Sequence, residues 1–488
     1  MHFIFPILLF CTIVIYILIS KWNKKTGFHR WAIPSGFAIK CAVGILFLSM
    51  YNPNKHLEND GAAFLYEGKI LHDVFHESPT DYLKLLTGIG ENREVVENRL
   101  GETTHWSIGE QRYLNDSKNV IRLHSIFRFF SSGNNYSVAL TALIIFCLLG
   151  IIGTTLLTKA ISPYSHANKY LIFGLLLLTP SILFWSSSIL KEPLLIFGLG
   201  LSIYGLIGKK VKYRIVFLLF GTFTVLLFKS YILIFIFISI IFYWVNKLIP
   251  YLKIFGTFAL LFALGLLATL LLQNTTKLYT EKISRKQFDF INIGKGGLHA
   301  DADSCFFYFT HDQLHAFNIE KDSVLLIKKT HAMQAEYGSM ETPVQVELLP
   351  QTKRWAIQYL NPKAKSLIEI PRITRPIDLV KNAPTAITNT LFRPYPWDPG
   401  SRLNSIAVLE NIFLFILLFF LVKNRSSINK DQWRIIGSIS FSLIILALFI
   451  GWITPVIGAI IRYRIPIQVG LILIFAIVYK PQKRKSNE

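Results

Sequence analysis

Residues 136–158 read YSVALTALIIFCLLGIIGTTLLT, without one charged side chain. A helix needs about 20 mostly apolar residues to cross the hydrocarbon core of a bilayer, and this stretch meets that length without a polar break. Once it is read as a span, similar runs stand out on either side: roughly 2–20, 33–50, 170–187, 190–208, 214–229, 231–246, 253–273, 404–422, 435–453 and 463–479. The reading is an all-α polytopic membrane bundle of about eleven transmembrane helices. The totals agree. Hydrophobic residues make up 52% of the 488, only 16% are charged, and the mean hydropathy is +0.44, against roughly 25% charged in a soluble domain.

The charges that remain are placed with a bias. The net charge of +22 would suit nucleic acid, but its cations gather in every second short loop. Lys21, Lys24, Lys25 and Arg30 follow the first run; Lys159 and Lys169, then Lys209, Lys210, Lys212 and Arg214, then Lys247 and Lys253, then Lys423, Arg425, Lys430 and Arg434 recur in alternate links, and Lys480, Lys483, Arg484 and Lys485 close the chain. Positive loops face the cytoplasm. The N-terminus is therefore expected outside and the C-terminus inside, and nucleic acid is not an expected partner. The opening MHFIFPILLF has no basic leader and ends at a basic cluster, which fits a retained helix better than a cleaved signal. The four cysteines form no disulfide framework or paired metal motif.

This topology sends two long loops outward. The organisation expected is a membrane module over 1–273 with an outer loop at 51–135, a large outer loop at 274–403, and closing helices with a basic tail over 404–488. Within the second loop, 274–292 reads as an amphipathic helix at the membrane surface. The runs CFFYF (305–309), SVLLIKK (323–329), PVQVEL (343–348), RWAIQYL (354–360) and SLIEI (366–370), separated by turn residues, predict a small β-rich insert over about 295–372.

The outer side also carries the residues with chemistry. Glu58 and Asp60 lie two apart, and in an extended segment two such side chains share a face. They suit either a divalent cation or proton abstraction from a hydroxyl; an ordinary solvated acidic turn is the plainer alternative. Lys191 and Glu192 sit at the tip FWSSSILKEP, Lys229 at the tip FKSY, and Arg462 and Arg464 in IIRYRIP. Cations at outer tips run against the positive-inside trend, so an anionic head group or buried acidic partners must account for them. Glu410 lies inside an apolar run, where pairing with Arg402 or an outer-tip arginine is the expected use. Arg122, in VIRLHSIFRFF, belongs to an interfacial helix that anchors or contacts phosphate. His299, Asp301 and Asp303 have metal-like side chains without a fourth ligand, and the nearby GKGG lacks the spacing of a phosphate-binding loop.

Four elements together resemble the GT-C class of polytopic membrane glycosyltransferases, and within it poorly characterised bacterial envelope-polysaccharide proteins: the acidic Glu58-Asn59-Asp60, the tip PSILFWSSSILKEP at 180–193, the return LFRPYPWDPGSRL at 391–403, and IRYRIP at 461–466. The resemblance covers the membrane scaffold, roughly 1–273 and 375–488, and not the β-rich insert. It implies a sugar donor on a polyprenyl phosphate, an envelope glycan or protein acceptor reached from the periplasmic face of the bacterial inner membrane, and a first-loop acid as base. Asp60 takes that role, with Glu58 as its neighbour or a metal ligand. Lys191, Lys229, Arg393, Arg462 and Arg464 would face the donor phosphate, with Glu192, Glu410 and Arg122 in support. Many members carry the acid in a DE or GDS context that this chain lacks. No cofactor is implied beyond a divalent cation as an option. A polymerase or ligase of envelope glycan, a precursor transporter, and a non-enzymatic envelope scaffold share the same scaffold features and stand as the alternatives.

Overall fold

The computed structural model describes residues 3–480 except 57–58, 104, 107–114, 132–133, 210, 303–304, 321–322, 337–342, 361–363, 365, 400–401 and 424–426. The chain is largely helical and carries one sheet. Among the described residues, four helices are long and apolar enough to cross a membrane: Ala32–Met50, Asn135–Tyr164, Tyr231–Leu248 and Lys430–Ile453. Counting two bent pairs as single spans gives six. Ile4–Ile19, Lys169–Leu178, Glu192–Ile207 and Asn404–Ile416 are apolar but shorter. Several of the runs in the sequence thus fold as helices that are too short or too interrupted to qualify as spans by length and composition.

The chain divides into two compact units. The first comprises 1–240, 416–436 and 468–488, and the second 241–415 and 437–467. In the first, the Asn135–Ile161 helix is the hub, with much of its length buried. Small residues let its neighbours approach to backbone contact. A Cβ added to Gly153 would lie 2.4 Å from the Ile196 carbonyl oxygen, and one on Gly200 would lie 2.4 Å from the Gly153 oxygen. One on Gly221 would lie 2.4 Å from Ser202 N. Apolar side chains gain little by leaving lipid for each other, so such close backbone packing is how helices in a membrane associate.

The segment 51–135 is not irregular. Its described residues form four helices, Asp60–Glu77, Pro79–Thr87, Arg93–Leu100 and Asp116–Arg128. Each begins at a residue that satisfies orphan backbone donors. Asn59, Ser78, Asn92 and Asn115 accept from the amides of Ala62, Asp81, Val95 and Ser117/Lys118 respectively. The first and last of these helices meet at Gly68, where a Cβ would lie 2.8 Å from that of His124.

The second unit holds a seven-stranded sheet: β1 Gly297–Ala302, β2 Cys305–Phe309, β3 Phe317–Glu320, β4 Ser323–Leu326, β5 Thr330–Glu336, β6 Val344–Leu348 and β7 Trp355–Leu360. Their order is β3-β4-β7-β1-β2-β5-β6, with every pairing antiparallel. CFFYF is buried at every position because it lies inside the sheet. Phe307 and Phe309 enter one core with Val324 and Trp355. Phe306 and Tyr308 face the other side with Phe288, which belongs to the Gln273–Lys295 helix. SLIEI differs from its expectation: it forms no strand of the sheet and contributes a single bridge, Leu367 to Val456. The carboxamide of Gln287 donates to the carbonyls of Pro371 and Trp452 and accepts from Ile373 N, tying the chain leaving the sheet to the helices of this unit.

Candidate functional site

The tip PSILFWSSSILKEP is a helix break. Pro180 opens the short helix Pro180–Trp185, and Pro193 sits in the first turn of Glu192–Ile207, where a missing N–H costs nothing. Between them, residues 186–191 are non-helical yet buried, with Ser186, Ser187 and Ser188 fully enclosed. Backbone groups in such a place need partners. Lys40 donates to the Ser186 carbonyl (3.1 Å) and to its hydroxyl. His124 Nε2 donates to the Ile189 carbonyl at 3.1 Å. Ser188 Oγ bridges the Trp185 carbonyl and the Leu190 amide. Gly44 lets the Ala32–Met50 helix close on the break, since a Cβ there would lie 2.5 Å from the Ser187 oxygen. Burial pushes the His124 imidazole down to about 4. It stays neutral near pH 7, with the Nε2 proton committed to the break.

Two cations lie at the end of this break, Lys191 within it and Lys229 reaching Glu192 just after it. Lys229 pairs with Glu192 at 3.1 Å, with both side chains almost wholly enclosed. Lys191 reaches the Asp116–Arg128 helix, pairing with Asp116 (2.9 Å) and donating to Ser117 Oγ (3.0 Å). Its ammonium also lies 5.3 Å from the centre of the Phe64 ring. Phe64 organises what surrounds it. Asp60 and Glu67 lie four residues before and three after it on the same helix, hence on one face. His105 packs edge-on against Phe64 with ring centres 5.1 Å apart. Glu67, 2% exposed, lies 2.7 Å from His105 Nδ1 and accepts from the His105 amide at 3.2 Å and 3.3 Å. Asp60 is exposed on the first turn, and the next residue packs against the break: a Cβ on Gly61 would lie 3.3 Å from Ile189.

Behind this group, the Asp116–Arg128 helix carries a second buried network. Glu91 takes Lys118 (3.2 Å), Arg122 (3.3 Å) and the Trp106 indole N–H (3.2 Å). Both cations also lie over the Trp106 ring, at 5.3 Å and 5.1 Å, and Arg122 donates to the Leu85 carbonyl and Asn119. Arg122, expected at a membrane interface, is buried and ties its helix to Glu91 and the Leu85 carbonyl.

The remaining expected cations belong to the second unit. Arg393 pairs with Asp398, which also accepts from Tyr395 N. Arg464 donates to the Arg393 carbonyl at 2.6 Å and faces Glu410 at 3.8 Å, with both of the latter side chains buried. Arg464 is thus the arginine that faces Glu410. Arg462 is half-buried. Glu58 lies outside the described residues, as does Asp303 of the His299-Asp301-Asp303 group. Among the described residues, no three His, Cys, Asp or Glu side chains converge as metal ligands.

Sequence reading missed Lys40, Glu67, Glu91, His105, Asp116 and Lys118. Lys40 carried a usable signal, a lone cation inside an apolar run. The others depend on folding of the outer loop. No family model matches the chain, nor does any characterised protein or solved structure.

Proposed function

We propose that this chain is a membrane glycosyltransferase that moves a sugar from a polyprenyl-phosphate donor to an extracytoplasmic acceptor during envelope glycan assembly. In this reading it crosses the bacterial inner membrane about eleven times, with its N-terminus and large loops periplasmic. The observation that carries the reading is the grouping around Phe64. Lys191, held by a buried helix break, stands beside a ring that also contacts His105, and Asp60 and Glu67 flank that ring on the same helix face.

Glycosyl transfer from a phosphate develops positive charge on the sugar and negative charge on the departing phosphate. Lys191 supplies the cation for the phosphate, and Asp60 at the exposed rim engages the acceptor's hydroxyls. Both kinds of group act more strongly where water is partly excluded. The polymerase or ligase alternative leans on outer arginines, and Arg393 and Arg464 are already committed to Asp398 and Glu410.

The test uses the full chain in lipid nanodiscs with a radiolabelled polyprenyl-phosphate hexose and a soluble disaccharide acceptor. Release of polyprenyl phosphate is expected from the wild type. Lys191→Met should lower its rate by about 10²–10³, as removal of one oriented charge-stabilising group does. A wild type that never consumes the donor, or a Lys191→Met that turns it over as well as wild type, would end the proposal.

A further inference from the structure

Any such transfer must dispose of the acceptor's hydroxyl proton, and the site contains a pair built for that task. Glu67 is a carboxylate withdrawn from solvent, and its oxygens meet both the backbone N–H and the Nδ1 of His105. An imidazole that donates through Nδ1 to a carboxylate has its lone pair on Nε2, and the carboxylate stabilises the imidazolium formed when Nε2 takes a proton. The His105 side chain is 30% exposed while Glu67 is closed off, so the orienting group is inside while the imidazole remains partly open to solvent. The ring is fixed from a second direction by its edge-on contact with Phe64, the same ring that faces the Lys191 ammonium. A base and a cation are thereby held on one aromatic spacer, the arrangement needed when a proton leaves one side of a reacting sugar and a phosphate leaves the other.

We propose that His105 is the proton acceptor of this site, the role that the family resemblance implied for Asp60, and that Glu67 is its positioning residue. The assignment rests on the transferase reading. The acceptor oxygen forms its bond to the anomeric carbon as the bond from that carbon to the phosphate oxygen breaks. The electron pair leaves with the polyprenyl phosphate beside Lys191, and the hydroxyl proton goes to His105 Nε2. No oxidant or further reactant is required.

Two measurements on the full chain in nanodiscs test it. In the polyprenyl-phosphate hexose assay, His105→Gln should lower kcat by about 10²–10⁴, the usual worth of a positioned base, with KM little changed. Glu67→Gln should lower kcat in the same manner, and Glu67→Asp should restore part of it, whereas Asp60→Asn should act mainly on the acceptor's KM. In the second measurement, diethyl pyrocarbonate labelling read by mass spectrometry, His105 should react several-fold faster than the exposed His29, and Glu67→Gln should abolish that advantage. Retained kcat in His105→Gln, or a kcat lost only in Asp60→Asn, overturns the assignment while leaving the transferase reading standing. Should the wild type consume no donor, the transferase reading falls by itself. The labelling then decides the pair: a rate for His105 that is ordinary, or indifferent to Glu67→Gln, overturns it.

Discussion

Lys191 and Arg464 invite the same expectation from sequence, a cation at an outer tip awaiting phosphate, yet the fold uses them in opposite ways. Arg464 is 3% exposed in its side chain, and its carboxylate partner Glu410 is fully enclosed. Lys191 is nearly as hidden, but its partner Asp116 is 37% exposed. The difference lies in the partner. An exposed carboxylate returns to water at little cost when another anion takes its place. A buried one left alone does not. Arg464 is therefore a structural charge, and Lys191 is a charge the fold can lend. Burial of the cation, the property most easily noticed, does not separate the two.

The largest effect should come from breaking the closed pair. Arg464→Met strands Glu410 in an enclosed site and removes the donor to the Arg393 carbonyl. A loss of about 3–5 kcal/mol is expected, read as a lower midpoint of denaturant unfolding. Lys191→Met, by contrast, should leave that midpoint close to wild type. Equal destabilisation by both would erase the distinction.

The break that aims Lys191 also depends on a neutral histidine. The His124 imidazole sits near 4 in the folded protein because burial opposes its charge, and near 6.5 when unfolded. The unfolded state therefore binds the proton first as pH falls. The stability contribution is fully present above about 6.5 and is lost progressively toward pH 4, about 3 kcal/mol in all. His124→Gln should flatten this part of the stability–pH curve in the first unit. A curve unchanged by the substitution would mean that His124 does not hold the break in the neutral form.

A smaller effect tests how the half-helix after the break is seated. Gly200 lies against the Gly153 backbone with no room for a Cβ. Gly200→Ala should cost about 1–3 kcal/mol through overpacking and should also weaken donor turnover by shifting Lys191. Gly451→Ala crowds the Ala386 carbonyl in the second unit in a similar way. It should lower stability comparably, with a lesser effect on turnover.

These contrasts also show what the sequence could convey. Apolar length and alternating basic loops point to a helical membrane protein, and short apolar runs such as CFFYF and RWAIQYL between turn residues point to the sheet, because those signals are local. The break at 186–191 was partly legible, since two prolines and three serines interrupt apolar runs there. The site around Phe64 was not. Glu67 and His105 are 38 residues apart, and Lys191 and Asp116 are 75 apart; their pairing exists only after the 51–135 segment has folded into capped helices. Even Arg122, expected to anchor an interfacial helix or contact phosphate, has its role decided by Glu91, whose own sequence context is unremarkable.

The smallest expected effect bears most directly on the comparison. If Asp116 is a placeholder for a ligand anion, then Asp116→Asn should cost less than about 1 kcal/mol, because its carboxylate already stands partly in water. It should also raise affinity for polyprenyl phosphate a few-fold, because the Lys191 charge no longer has to be released from a carboxylate. Asp398→Asn is the control in the second unit. Asp398 is 5% exposed beside Arg393 and accepts from Tyr395 N, so its loss should destabilise that segment without strengthening phosphate binding. Polyprenyl phosphate titrated into nanodisc-held protein measures both. Tighter binding in Asp116→Asn alone places the exchangeable charge at Lys191. Tighter binding in Asp398→Asn alone would move it to Arg393, and the roles argued for the two clusters would have to be reversed.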